Sequence, residues 1–181
     1  MTSPDPSSSP TATPLRKAPL GRLVAVCIGP GGIPKHTVER ARLTTAGLDG
    51  DRHRHPEHGG LARALCLLST AEVRSLAEDG VAGALEPGTF GENLLIDGLD
   101  FADLRPGDRL SFARVPGAGV AGGRVVCELS DLRAPCVTLK SVDSRLPDLM
   151  CGRSGFVARG IEVGESGELI AGMTVEVLES A

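Results

Sequence analysis

The sequence predicts a mostly β fold, a barrel or sandwich of short strands with a few helices. Three observations point there. Short apolar runs with β-branched residues recur along the chain, turn-forming groups such as Asp97-Gly98 and Pro106-Gly107-Asp108 separate them, and a single stretch carries clear helix start and stop signals.

The first run, residues 23–28, reads as a strand stopped by Gly29-Pro30-Gly31-Gly32. Residues 36–45 place Val38 and Leu43 among charged side chains, the pattern of a half-buried strand that ends at Gly47. Residues 47–60 are rich in Gly, Asp and His and too polar for a core, so they read as a loop feeding the continuously apolar strand at 64–68. Ser69, with Glu72 three residues on, forms a capping box ahead of Ala71, Val73, Leu76 and Ala77; Gly80 terminates that helix. Further strands are expected at 94–96, 109–115, 124–129 and 174–178, with a Gly-rich connection at 117–123. A weaker helix fits 143–150, provided that Pro147 lies near one of its ends.

Composition narrows the function. The chain has 181 residues, of which 41% are apolar and 23% charged, enough to fill one core. Residues 1–19 hold five prolines among Ser and Thr and read as a disordered tail; residues 20–181 form the domain. A net charge of −4 and only four aromatics, all Phe, argue against a nucleic-acid partner. No run approaches the roughly 18 apolar residues of a membrane-spanning helix. Five cysteines without a CxxC pair match neither a zinc ribbon nor a disulfide scaffold, so a reducing, cytoplasmic setting is expected.

Four places invite chemistry. Cys136 follows Arg133-Ala134-Pro135 in a turn-like segment, where a neighbouring guanidinium favours the thiolate, the form that ligates soft metals; the alternative is a small buried hydrophobe. Cys27, Cys66 and Cys127 lie in apolar strand runs and are expected to be shielded. His53, His55 and His58, beside Asp49, Asp51 and Glu57, could hold zinc or be a solvated cluster, and His58 before Gly59-Gly60 could instead bind an anion. Gly29-Pro30-Gly31-Gly32 with Lys35 could cradle a phosphate but fits no nucleotide motif, so a turn is the plainer reading. In Phe90-Gly91-Glu92-Asn93, the polar pair closes a turn, or Asn93 offers donor and acceptor to a polar heterocycle.

Taken together, the motifs resemble the MOSC family, named for the C-terminal domain of molybdenum cofactor sulfurase. The resemblance runs through Gly47-Leu48-Asp49-Gly50-Asp51, His58-Gly59-Gly60 with Arg63-Ala64-Leu65-Cys66, Pro87-Gly88-Thr89-Phe90-Gly91-Glu92-Asn93-Leu94, Gly98-Leu99, Gly107-Asp108 and Arg133-Ala134-Pro135-Cys136. It implies a distorted β-barrel of the pyruvate-kinase-β-barrel type. It also implies that Cys136 ligates the molybdenum of a pterin-dithiolene cofactor or carries sulfur, with Arg133, Asn93, His58, Arg63 and Gly91 around the cofactor. The activities implied are reduction of N-hydroxylated substrates with electrons from a separate reductase, or sulfur transfer; a non-catalytic cofactor carrier is the alternative. Pyridoxal phosphate belongs to a different domain of the full sulfurases and is not expected here. The chain departs from relatives at Pro56-Glu57, where some have a Lys, and at Gly172-Met173, where Gly-Asp is usual.

Overall fold

The computed structural model describes residues 20–54, 59–83, 86–114, 124–164 and 166–178. The tail at 1–19, the Gly-rich connection at 117–123, and His55 and His58 lie outside these residues.

Seven strands close into a barrel. They are β1 (Leu20–Ile28), β5 (Leu65–Ser69), β6 (Leu94–Asp97), β7 (Arg109–Ala113), β8 (Val125–Leu132), β9 (Phe156–Glu162) and β11 (Thr174–Leu178). Around the barrel the order is β1-β11-β7-β8-β9-β5-β6 and back to β1; only β5 and β6 run parallel. β1 is long enough to serve several partners. Leu20–Arg22 pair with β11, Arg22–Val26 pair with β6, and Val26–Ile28 pair with the short β2 (His36–Val38). A separate three-stranded sheet of β3 (Arg40–Thr44), β4 (Gly47–Leu48) and β10 (Glu168–Ile170) packs Ala41, Leu43, Leu48 and Leu169 onto the barrel core.

Two apolar clusters explain why β5 reads as a continuous apolar run. Leu65 and Leu67 point into the barrel with Leu23, Phe112, Leu129 and Phe156. Leu68 faces outward, where α1 (Thr70–Glu78) and α2 (Leu146–Leu149) cover it with Val73, Leu76, Leu146 and Met150. A strand buried on both faces has no polar face to alternate with.

The capping box forms as expected: Ser69 N–H donates to Glu72 Oε2 at 2.9 Å, and Glu72 N–H to Ser69 Oγ at 3.1 Å. The second helix is shorter than 143–150, beginning at Leu146 with Pro147 in its first turn, where the missing N–H costs no intrahelical bond. β9 and β10 were not singled out by pattern. Met173, of the Gly172-Met173 departure noted above, is 3% exposed and lies in the barrel core. Among the described residues, no helix is long and apolar enough to cross a membrane.

Candidate functional site

The site is built where β8 leaves the barrel. Arg133 follows β8 directly, and its backbone N–H donates to Gly155 O at 3.0 Å, fastening the exit to the segment entering β9. Its guanidinium turns inward: Nη2 donates to Phe90 O, and Nη1 is buried without a partner. Gly91 forms the turn beside it. Its φ is +80°, and a Cβ there would stand 2.6 Å from Ile33 Cγ2. Three residues beyond Arg133, Cys136 caps a 3-10 turn (Val137–Ser141) and stays half-buried.

Arg133, Gly91 and Cys136 line one cleft, together with Arg63, Asn93, Cys66, Thr138 and the loop residues Lys35, Arg52, His53 and Arg54. Partial burial, the largest single influence on the Cys136 thiol, raises its pKa. The Thr138 hydroxyl and N–H, the Arg133 charge and the Val137 N–H outweigh it and hold the thiol below its ordinary value. Cys66 behaves oppositely, because burial pushes its thiol up despite Arg133, Lys35 and Arg63 nearby. Cys66 also corrects an expectation: it is half-buried and lines the cleft, whereas Cys27 and Cys127 are fully shielded, each with its thiol pushed up to about 12 mainly by burial. Cys151, on no apolar strand, is exposed.

Behind the cleft lies a buried polar hub. Asp51 Oδ1 accepts from Gly29 N–H at 2.9 Å, and Oδ2 accepts from Lys35 Nζ at 2.7 Å and Asn93 Nδ2 at 2.8 Å. The Asp51 and Lys35 side chains are 1% and 6% exposed. Asp51 is thus committed to fixing the loop. Asn93 ties the hub to the barrel: Nδ2 also donates to Cys27 O at 3.1 Å, and Oδ1 accepts from Cys66 N–H at 3.0 Å. Both of its donors are engaged within the protein. Glu92 closes the neighbouring turn, accepting from Gly88 N–H at 2.5 Å and Phe90 N–H at 3.2 Å, while burial raises its carboxyl pKa.

Of the residues picked out by sequence, Cys136, Arg133, Arg63, Gly91 and Asn93 come together in this cleft. His58 lies outside the described residues. His53 lines the cleft with Nε2 3.8 Å from Asp51 Oδ2, and among the described residues no group of three or more His, Cys, Asp or Glu is placed to hold a metal ion. Gly31 and Gly32 lie in a turn against Arg54: a Cβ on Gly32 would lie 3.5 Å from its Nη2. Arg52, Arg54 and Thr138 were not singled out by pattern. Asp51-Arg52 in the loop motif was the available signal for the first of them.

The described cleft lining carries five cationic side chains, Lys35, Arg52, Arg54, Arg63 and Arg133, and no carboxylate. Arg63 Nε, like Arg133 Nη1, is buried without a hydrogen-bond partner. Unpaired buried guanidinium donors are costly unless an anionic ligand meets them. A molybdenum–pterin cofactor fits this donor set, with a thiolate for the soft metal and unpaired N–H groups for the phosphate.

Comparison with known proteins agrees with this geometry. The MOSC domain family model matches residues 54–176. The structure of YiiM from Escherichia coli is 26% identical with a TM-score of 0.65, over 89% of this chain and 71% of that one. YiiM from Geobacillus stearothermophilus, at 21% identity, gives a TM-score of 0.67 over 88% of this chain and 75% of its own. The YuaD protein from Bacillus subtilis, at 18% identity, shares the fold with a TM-score of 0.70 over 89% of this chain and 97% of its own. No curated protein sequence matches the chain significantly. With more than half of its length matched by the family model, and with the barrel and cleft in place, the chain belongs to the MOSC domain family.

Proposed function

We propose that the cleft binds a molybdenum–pterin cofactor through Cys136 and reduces small N-hydroxylated compounds. The observation that carries this reading is a thiol biased toward thiolate in the same cleft as two guanidinium groups with buried, unpaired donors. When bound, the cofactor supplies the two-electron couple for cleaving an N–O bond. The overall change on an amidoxime breaks the N–O bond, consumes two electrons and two protons, and yields an amidine and water. The electrons come from a separate reduced flavin or iron–sulfur protein, and the protons from solvent at the cleft mouth.

The chain's own residues hold and orient. Thr138 and Val137 stabilise the Cys136 thiolate by hydrogen bonds, which favour its deprotonation for ligation. Arg133 and Arg63 present their unpaired N–H groups to the cofactor's phosphate. Asn93 acts through others: by binding Cys66 N–H, Cys27 O and Asp51 it fixes the wall and the loop against each other.

The test is molybdenum content and benzamidoxime reduction, with a dithionite-reduced viologen as donor, in protein made in a molybdenum-replete host. Cys136→Ser should lose metal or leave it inert while the fold survives, because a protonated hydroxyl is a poor soft ligand. Arg133→Ala should retain less cofactor than Arg133→Lys, which keeps the charge without the planar fork. Full metal and activity in Cys136→Ser would overturn the assignment. Full metal without reduction of any amidoxime would leave a carrier in its place.

A further inference from the structure

The cations of the cleft stand in two tiers. Arg133 and Arg63 are half-buried and hold the unpaired buried donors, whereas Arg52 and Arg54 are exposed at the rim. The rim pair is not a floppy fringe. Arg52 N–H donates to Gly29 O at 2.9 Å, the Gly31-Gly32 turn lies against Arg54, and the buried Lys35–Asp51 pair anchors both segments from below.

Elsewhere on this acidic protein most arginines are neutralised, Arg22, Arg42 and Arg105 being the described exceptions. Arg40, Arg74, Arg109, Arg114, Arg124, Arg145, Arg153 and Arg159 each lie within 4.0 Å of a carboxylate. Among the described residues, neither Arg52 nor Arg54 forms such an ion pair, and the described lining offers no carboxylate to either. The same lining also includes the apolar side chains Ile33, Leu65 and Val157. A small ligand held at the recessed tier that also reaches the exposed pair would end on the Arg52 and Arg54 guanidiniums.

Resting on the function proposed above, we infer that Arg52 and Arg54 are specificity-determining residues for an anionic substituent, so that the preferred substrate is a small N-hydroxylated compound carrying a carboxylate or phosphate group. Planar guanidinium forks match such oxyanions in a bidentate way, and the surplus of positive charge draws them to the cleft.

Two probes that share the reactive group isolate this claim: neutral benzamidoxime and anionic 4-carboxybenzamidoxime. Their dissociation constants are measured calorimetrically on the metal-loaded protein without an electron donor, so that binding is read apart from turnover. At low salt the carboxylated probe should bind about tenfold tighter, the low end for one charge-assisted hydrogen bond, and the advantage should shrink as ionic strength rises. In Arg54→Ala and Arg52→Ala the ratio of the two constants should fall toward one while molybdenum content stays at the wild-type level. Arg159→Ala, on the barrel surface, controls for net charge and should keep the wild-type ratio.

Equal affinity of wild-type protein for the two probes overturns this inference and leaves the proposed function standing. Loss of molybdenum from the Arg52 or Arg54 variants also overturns it, by assigning these side chains to the cofactor's phosphate. Failure to reduce either probe with full metal present removes the proposed reaction, and the affinity ratio still decides whether the rim recognises an anion.

Discussion

Removing the amide of Asn93 should destabilise the domain strongly. The side chain is 1% exposed and makes three hydrogen bonds, to Cys66 N–H, to Cys27 O and to the Asp51 carboxylate. Two are between neutral groups and one is to a charged group; at about 1 kcal/mol for each of the former and 1.5–3 for the latter, Asn93→Ala should cost about 3–5 kcal/mol. In a domain of this size 1 kcal/mol moves the melting temperature by about 2–4 °C, so a fall of roughly 6–20 °C is expected in cofactor-free protein. Thermal unfolding followed by circular dichroism, with urea titration as a second measure, gives the value directly. Asn93→Asp separates the hydrogen bonds from shape, because it keeps an acceptor for Cys66 N–H but sets a second carboxylate against Asp51. Two buried carboxylates disfavour ionisation, so the folded-state pKa of the new group lies above its unfolded value and the variant loses stability as pH rises through it. A melting temperature for Asn93→Ala within about 2 °C of wild type would refute the reasoning, since a satisfied buried amide cannot be removed so cheaply.

Brief alkylation of cofactor-free protein, mapped by mass spectrometry in a Cys151→Ser background, should label Cys136 first; preferential labelling of Cys66 or Cys127 would remove the case for a reactive thiolate. Gly91→Ala should cost about 2 kcal/mol or more, because a side chain at φ +80° is strained and its Cβ meets Ile33; adding Ile33→Ala should recover only the contact part. Glu92→Gln should compare better with wild type as pH rises. Burial raises the folded pKa of Glu92 above its unfolded value, so its contribution is present at acid pH and lost as pH rises through the folded pKa, whereas glutamine does not titrate. Urea midpoints between pH 4 and 7 that diverge in the opposite sense would contradict the burial argument.

Much of this protein is written locally. The capping box at Ser69 and Glu72, the turn at Pro106-Gly107-Asp108 and the apolar run of β5 follow from residue type and spacing within a few positions, and they form as those rules require. The motif around Cys136 was equally legible, since the thiol, Arg133 and the stiff Ala134-Pro135 link lie within four residues of one another. β9 was harder to see. Its Phe156-Val157-Ala158 run is followed at once by Arg159 and Gly160, a mixed pattern that becomes a strand because β8 and β5 supply hydrogen-bonding edges on both sides. What only the tertiary structure decided is which distant residues share the cleft. By its chemistry alone Asn93 could close a turn or offer donor and acceptor to a polar heterocycle; closure of the barrel sets it beside Cys27 and Asp51, 66 and 42 residues away, and engages both of its donors. The same closure turns Cys66 from a shielded strand residue into a cleft wall and brings Arg52 and Arg54 to the rim above Arg63 and Arg133. Periodicity states which face of a strand is apolar, but the charge gathered at one place depends on pairings between segments far apart in the chain, and those are set by the packing of the whole core.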